Sequence, residues 1–441
     1  MKIAMLTNNY RPFVGGVPVS VERQAQELTR LGHQVTVIAP MYGDDEEERS
    51  RVLEQDERSP ERVVRYRTQK MKMPNGMVYP SFRPEEVFAI FERETFDCIH
   101  VHHPVFAGIW ALSLGKKYGI PVIYTYHTRY EDYLHYIPFF REKKERRYIR
   151  NRFTDWVKGS VIPSYMKWFC SQCDLVVAPS AGMMQVIRRQ GVSVPAAVMP
   201  TGLDASFYRS DAGRAEKIRE QYAKGRKHLL VTVSRLEREK NYGFLLRGIA
   251  EIEKRLGDDF HVLILGDGSQ MGELKVRASI LGIRDKVTFM GNVPNAQVKD
   301  YLNAADLFLF ASRSETQGIV LAEALAAGCP VVAVHATGAD DVVRNGVNGF
   351  LTAEDEAVWA EKAVEALRPE NLGRMREAAR SDADDYRASR LAIYAEMLYN
   401  QCVLRKGENG YERSEDRGGH VAAAVRKVSW PSQADGGCPV G

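Results

Sequence analysis

Two glutamates, Glu315 and Glu323, stand on either side of Gly318 in the sequence. The apolar run at residues 305–312 is typical of a buried strand, and the small apolar residues before Gly328 predict a helix that begins after Gly318. A helix start exposes unpaired backbone N–H groups, which favour an anion such as a diphosphate. Carboxylates accept hydrogen bonds from hydroxyl groups, so the two glutamates could bind the sugars that flank a diphosphate. The pattern therefore predicts a nucleotide-sugar site, and a solvated helix face is the alternative. The residues expected at the diphosphate are Gly318, Ile319, Val320 and Leu321.

Two cations follow another apolar run, at residues 229–234. Arg235 and Lys240 lie in a short segment that leads from this run into a predicted helix. Open α/β sheets bind ligands at the carboxyl ends of their strands. Cations at that edge would stabilise a departing nucleoside diphosphate, because its negative charge grows as the bond to the sugar breaks. Taken alone, the segment is equally typical of a plain basic loop.

Short apolar runs alternate with helical patterns along the chain and predict the elements that position these residues. The first series occupies residues 3–6, 34–39, 98–101, 122–125 and 175–178, and the second occupies residues 229–234, 262–265, 287–290, 307–310 and 331–334. This alternation is typical of doubly wound parallel sheets, so we predict an α/β protein with two Rossmann-like domains joined near residue 200. The predicted units are two domains (1–200 and 201–384), a final helix (385–405) and a disordered tail (406–441).

Two features of the first half lie where predicted strands end. Gly15 and Gly16 follow the first strand, and the absence of a side chain there allows the backbone to approach a ligand closely. His127 follows the run at 122–125, so we expect it to point into the cleft between the domains. The remaining histidines after a strand lack metal-ligand spacing and are interpreted as loop or cleft-wall residues. These are His100, His102 and His103.

Composition excludes several classes of function. The chain has 441 residues, of which 44% are hydrophobic and 27% are charged, which suits two domains with ordinary cores. It contains no uncharged apolar stretch of about 18 residues, so no helix is expected to span a bilayer. A net charge of +4 is too small to indicate nucleic-acid binding. The six cysteines are scattered, which suits a reducing cytosol, and the pair Cys170 and Cys173 is interpreted as structural thiols rather than a metal site.

The motif of a glutamate, seven residues and a second glutamate resembles that of the retaining glycosyltransferases of family 4. The resemblance covers about residues 1–405. It implies the GT-B fold, in which two Rossmann-like domains face each other across a cleft. The second domain then holds most of the nucleotide-sugar donor, the first binds the acceptor, and the final helix crosses back to the first. No metal or other cofactor is implied.

The resemblance also implies a role for each candidate residue. Glu315 would face the donor hexose and Glu323 the ribose, while Arg235 and Lys240 would bind the phosphates. His127 would orient the hexose and stabilise the transition state, with His127, Glu315, Arg235 and Lys240 as the catalytic group. Gly15 and Gly16 would meet the diphosphate from across the cleft.

The stretch at residues 124–136 resembles that of the bacterial diacylglycerol glucosyltransferases. Residues 141–152 then carry seven basic and two acidic side chains and are flanked by aromatic residues. Such a segment attracts anionic headgroups and places aromatic rings at the interface. A solvated helix is the alternative. The candidate membrane or acceptor contacts are Phe139, Phe140, Lys143, Lys144, Arg146, Arg147 and Trp156.

Together these features predict transfer of glucose from UDP-glucose to diacylglycerol. The enzyme would lie in the cytoplasm, peripherally on the anionic inner face of the membrane. Three alternatives remain. The first is a family 4 enzyme with a soluble acceptor or a GDP-sugar donor. The second is a nucleotide-sugar epimerase of the same fold, and the third is an inactive module that only binds nucleotide sugar. The intact acidic and basic residues argue against the last two.

Overall fold

The computed structural model describes residues 1–72, 76–132 and 154–415. The described strands form two parallel sheets, one in each half of the chain, and one antiparallel hairpin. The first sheet contains β1 (Lys2–Leu6), β2 (Gln34–Pro40), β3 (Arg62–Tyr66), β6 (Cys98–Val101), β7 (Val122–Thr125), β8 (Leu175–Ala178) and β9 (Ala196–Val198), and the hairpin pairs β4 (Thr68–Lys72) with β5 (Val78–Pro80). The second sheet contains β10 (His228–Val233), β11 (Phe260–Leu265), β12 (Val287–Gly291), β13 (Leu307–Phe310), β14 (Val331–Val334) and β15 (Gly349–Thr352).

Helices connect and cover the strands of both sheets. The helices of the first half are α1 (Gly16–Arg30), α2 (Glu46–Glu57), α3 (Glu85–Arg93), α4 (Ala107–Tyr118), α5 (Ile162–Ser171) and α6 (Ala181–Arg189). A π-helical turn, Val157–Val161, precedes α5. The helices of the second half are α7 (Ala212–Ala223), α8 (Tyr242–Leu256), α9 (Met271–Ile280), α10 (Asn295–Ala304), α11 (Ile319–Ala326), α12 (Ala339–Val342), α13 (Glu356–Ala366), α14 (Pro369–Ala383) and α15 (Ala388–Glu415).

The strand order places a crevice in each sheet. The first sheet has the order β3-β2-β1-β6-β7-β8-β9, and the second has the order β12-β11-β10-β13-β14-β15. The order reverses between β1 and β6 and between β10 and β13, and such switch points bind ligands at the carboxyl ends of the strands. The glycine loop follows β1, and the loops with Lys240 and Glu315 follow β10 and β13. The predicted α/β fold with two doubly wound domains is confirmed.

The central strands of both sheets are largely hydrophobic and buried because helices cover both faces of each sheet. All six residues of β11 are buried, as are all four residues of β7, β8, β13 and β14. Continuous apolar runs of this kind are typical of parallel sheets, whose two faces both lie in the interior. Each sheet therefore has a hydrophobic core on either side, and its loops are held on rigid strand ends.

The final helix differs from its prediction at both ends. It begins at Ala388 and continues to Glu415, so the disordered tail predicted from residue 406 does not begin there. The helix packs against α1, and Lys406 extends this contact by pairing with Asp174 at an Nζ–Oδ1 distance of 2.8 Å. This ion pair links the first residue beyond the predicted helix end to the first domain. Residues 416–441 lie outside the described residues.

Candidate active site

The loop after β13 turns sharply at Gly318. This residue has φ 74° and ψ 49°, the left-handed conformation, and precedes the first residue of α11. A Cβ atom at this position would lie 2.9 Å from Cδ1 of Leu321, so both the backbone and the space favour glycine. The helix therefore starts where the sequence predicts, and its first residues, Ile319 to Leu321, lie at the carboxyl edge of the second sheet.

Glu315 and Lys240 contact each other directly. Glu315 precedes the turn at Gly318, and Lys240 belongs to the loop after the neighbouring strand β10. Lys240 Nζ donates to Glu315 Oε1 at 2.5 Å, and the two side chains are only 14% and 15% exposed. The topology joins them because β10 and β13 are adjacent in the sheet. The Lys240 ammonium group and the Glu315 carboxylate are therefore in contact close to the start of α11.

Arg235 lies in the same loop as Lys240 but nearer to solvent. Its side chain is 45% exposed and pairs with Glu239 at 3.2 Å. The backbone oxygen of Glu239 in turn accepts a hydrogen bond from Ser312 Oγ at 3.4 Å, which ties the loop to the end of β13. Arg235 is therefore placed on the rim of the crevice, whereas Lys240 of the same loop reaches Glu315.

Glu323 is engaged by the other domain. Its carboxylate lies in α11 and pairs with Arg23 of α1 at an Nη2–Oε1 distance of 2.9 Å, and the side chains are 10% and 8% exposed. Burial raises the pKa of Glu323, and the Arg23 guanidinium opposes that rise. Arg23 also donates to the backbone oxygen of Gly202 at 3.3 Å, in the segment that joins the domains. The sequence does not distinguish Arg23, since a basic residue on an amphipathic helix carries no signal of its own.

The glycine loop of the first domain faces the same helix start. A Cβ atom on Gly16 would lie 3.8 Å from Cδ1 of Ile319, so the Ile319 side chain reaches the Gly16 backbone across the interdomain cleft. Gly15 precedes α1 directly. The start of α1 and the start of α11 therefore lie on opposite sides of the cleft, as a diphosphate between them would require.

The two residues between Glu315 and Gly318 are bound by the first domain and by the segment that joins the domains. Thr316 Oγ1 donates to the backbone oxygen of His127 at 2.9 Å, and Ser180 Oγ donates to the backbone oxygen of Thr316 at 2.7 Å. The Gln317 amide accepts from the backbone N–H of Thr201 at 2.7 Å and donates to its backbone oxygen at 3.1 Å. Hydrogen bonds from the first domain and from the joining segment thus fix the loop that carries Glu315. The sequence gives no local signal for these contacts.

His127 lies after β7, on the first domain's side of the cleft. Its Nε2 atom forms a 2.9 Å hydrogen bond with Nδ1 of His102, one of the residues interpreted as cleft wall. Burial lowers the pKa of His127 to about 3, so the ring is neutral near pH 7. A neutral ring can orient a sugar hydroxyl group through a hydrogen bond. The structure therefore brings His127 to the loop of Glu315 through Thr316, and it adds His102 to the site.

Comparisons with known proteins show the family. A sequence model described as "Glycosyltransferase Family 4" matches residues 14–207, and one described as "Glycosyl transferases group 1" matches residues 214–382. The alpha-monoglucosyldiacylglycerol synthase of Streptococcus pneumoniae is 30% identical over 351 residues, which is 76% of this chain and 71% of that protein. The chain belongs to glycosyltransferase family 4. The protein of the same name from Acholeplasma laidlawii is 27% identical over 90% of this chain and 96% of its own length.

A solved structure shows that this family 4 glycosyltransferase has the GT-B fold. HepE of Anabaena, solved in complex with UDP-glucose, superimposes with a TM-score of 0.67 at 20% identity. The match covers 91% of this chain and all of that one. The two proteins therefore share both Rossmann-like domains. The interdomain cleft of this chain corresponds to the cleft that lies between the two domains of a GT-B fold.

The remaining predicted site residues are partly outside the described chain. This applies to the candidate membrane contacts Phe139, Phe140, Lys143, Lys144, Arg146 and Arg147. Trp156 is described, immediately before the π-helical turn, and is 57% exposed. Within the described residues, no helix is long and apolar enough to cross a membrane. The same residues contain no group of three or more histidine, cysteine or acidic side chains that could hold a metal ion.

Proposed function

We propose that this glycosyltransferase moves glucose from UDP-glucose to diacylglycerol with retention at the anomeric carbon. The observation that carries the proposal is the pairing of Lys240 with Glu315 beside the left-handed turn at Gly318. It combines a cation for the leaving group, a carboxylate for the hexose and a helix start for the diphosphate. The names of two relatives suggest the acceptor, since the similar proteins of Streptococcus pneumoniae and Acholeplasma laidlawii are both alpha-monoglucosyldiacylglycerol synthases.

The donor would lie across the start of α11. Backbone N–H groups of Ile319 and Val320 would bind the diphosphate, with the glycine loop closing on it from the first domain. Glu323, further along the helix, would accept hydrogen bonds from the ribose hydroxyl groups. This arrangement supports a nucleoside diphosphate sugar as donor, because Glu315 precedes the helix start and Glu323 lies within the helix, so that one carboxylate lies on each side of the diphosphate.

The transfer step needs a stabilised leaving group. The oxygen of the acceptor hydroxyl group forms a bond to the anomeric carbon on the face from which UDP departs, and the bond from that carbon to the β-phosphate oxygen breaks. The hydroxyl proton passes to this phosphate oxygen, so the products are α-glucosyl diacylglycerol and UDP. Lys240, with Arg235 on the rim, would stabilise the charge that develops on UDP. No metal ion takes part in this proposal.

The acceptor would enter from the side of the first domain that carries exposed aromatic residues. Trp168 of α5 is 49% exposed and its ring lies 5.6 Å from that of Tyr165, and Val161 in the π-helical turn is 40% exposed. Together with Trp156, these side chains present apolar surface, and they follow the basic segment 141–152 in the sequence. Aromatic and basic residues in combination favour the interface of an anionic membrane. This supports a peripheral location on the inner membrane face.

Product analysis tests the proposed function. Purified protein is incubated with UDP-glucose and vesicles that contain diacylglycerol, in the presence of EDTA, and in parallel with GDP-mannose and with water-soluble acceptors. We expect an α-linked glucosyl lipid from UDP-glucose. A β-linked product would contradict retention. Transfer only to a soluble acceptor or only from GDP-mannose would overturn the lipid or the donor assignment and leave family membership intact.

Replacing Trp156 and Trp168 with serine is expected to weaken binding to anionic vesicles at least about tenfold. Full burial of one large apolar side chain contributes about 1.5–3 kcal/mol, and 1.4 kcal/mol corresponds to about a factor of ten. Co-sedimentation at low salt measures the effect. The matched control replaces Val276 and Ile280 of the second domain, which are 60% and 79% exposed, and should bind as the wild type does. Equal binding by both variants would show that the membrane contact lies elsewhere.

A further inference from the structure

A row of buried histidines leads from the final helix to the candidate active site. Tyr399 of α15 contributes its hydroxyl group to a 2.6 Å hydrogen bond with His100 Nδ1, and Thr125 Oγ1 lies 2.7 Å from His100 Nε2. The His100 ring is thus fixed at both nitrogens. It packs against the His102 ring with a centroid distance of 4.1 Å, and His102 reaches His127. The His127 ring is therefore held by a rigid neighbour.

The protonation state of this row is uniform. Burial lowers the pKa of His100 and of His127 to about 3, and it lowers the pKa of His102 well below its usual range. All three rings are therefore neutral near pH 7, and each carries a single N–H group. The hydrogen bond between His102 Nδ1 and His127 Nε2 consequently has two possible directions, which differ in what they leave unpaired.

The second nitrogen of His102 decides between these directions. His102 is 1% exposed, and its Nε2 atom is buried without a hydrogen-bond partner. If His127 donated, His102 would carry its proton on Nε2 and bury an unpaired N–H group. If His102 donates, the unpaired atom is an acceptor, and buried orphan N–H groups are the rarer and costlier case. The network therefore favours donation from His102 Nδ1 to His127 Nε2.

We propose that His102 is a positioning residue that fixes the tautomer of His127, so that His127 presents an Nδ1–H donor to the donor hexose. His127 Nδ1 makes no hydrogen bond to a described residue, which leaves it for a ligand. The role of His127 toward the hexose rests on the proposed function, whereas the tautomer is a property of the free protein. His127 thus acts as a hydrogen-bond donor to a sugar oxygen and does not accept a proton during transfer.

Kinetics of two His102 variants test the positioning role. His102→Leu removes the donor, and we expect turnover to fall roughly ten- to one hundredfold, because misorientation of a group beside the reacting centre has an effect of that order. The donor KM should change less than about twofold, since His102 does not touch the donor. His102→Asn keeps an N–H donor near the position of Nδ1 and should retain most of the turnover. A structural role alone would affect both variants alike.

A matched control separates this effect from loss of packing. His261 in the second domain is also buried, at 2% exposure, with one nitrogen bonded to Thr288 at 2.8 Å and the other unpaired. His261→Leu should leave turnover within about threefold of the wild type. Circular dichroism and thermal unfolding report on the folding of every variant. Equal losses in His102→Leu and His261→Leu would overturn the positioning role.

Nitrogen-15 NMR of the histidine side chains tests the tautomer without any substrate. We expect His127 to show a protonated Nδ1 in the wild type and in His102→Asn, and a mixture of tautomers in His102→Leu. A protonated Nε2 on His127 in the wild type would overturn the inference whatever the enzyme transfers. The expected NMR result combined with no glucosyl lipid product would contradict the proposed function alone.

Discussion

Replacing Lys240 with alanine is expected to lower turnover by roughly one hundred- to one thousandfold, the scale that is usual for loss of a group that stabilises developing charge. The structure strengthens the expectation because Lys240 contacts Glu315 at 2.5 Å. Its removal therefore also leaves a largely buried carboxylate without its cation. Initial rates of sugar transfer at saturating donor measure the effect, and thermal unfolding separates it from loss of the fold. Arg235→Ala is also expected to lower turnover, because Arg235 on the rim of the crevice would stabilise the same negative charge on the leaving group.

Lys254→Ala is the matched control for Lys240. Lys254 also pairs with a glutamate, Glu251, at 2.5 Å, but its side chain is 69% exposed and lies away from the crevice on α8. Exposed ion pairs of this kind contribute about 0–1 kcal/mol to stability, so turnover and unfolding should stay close to the wild type. Near-normal turnover in Lys240→Ala would remove the lysine from the leaving-group role.

The positions of the strand ends that carry the site could be predicted from the sequence. Parallel strands buried on both faces appear as continuous apolar runs, so the loops after β10 and β13 and the turn at Gly318 could be placed from residue types alone. The adjacency of β10 and β13 is a property of sheet order, however, and sheet order has no local signature. The contact between Lys240 and Glu315 was therefore not predictable, although both residues were.

The contacts between the domains could not be predicted from the sequence. Arg23 and Glu323 are 300 positions apart, and Thr316 and His127 are 189 positions apart. Nothing in the local periodicity near one partner indicates the other. The spacing of His102 along the chain argues only against a metal site and gives no signal for its hydrogen bond with His127. The extension of the final helix past residue 405 has no local signal either, and the contact of Lys406 with Asp174 is tertiary. The domain boundaries and the contacts at residues 139–147 stay predictions.

Glu315 and Glu323 are expected to affect different kinetic constants. Glu315→Gln should mainly lower turnover, because its contact with the hexose strengthens as charge develops in the transition state. Glu323→Ala should raise the donor KM about ten- to one hundredfold with a smaller change in turnover. A hydrogen bond to a charged group contributes about 1.5–3 kcal/mol, and the ribose contact is equal in the ground and transition states. Steady-state kinetics with varied UDP-glucose measure both constants. Small and equal effects of the two changes would contradict the site.

Arg23→Met tests whether the charge on Glu323 matters for donor binding. Burial raises the pKa of Glu323 and Arg23 lowers it, so loss of the guanidinium leaves only the raising effect and the pKa rises further. The ionised fraction of Glu323 then falls at a higher pH when acid is added. The donor KM of Arg23→Met should therefore begin to rise at a higher pH than that of the wild type, whereas the KM of Glu323→Ala should lack this transition. A pH profile of Arg23→Met that coincides with the wild-type profile would show that donor binding does not depend on the ionised form of Glu323.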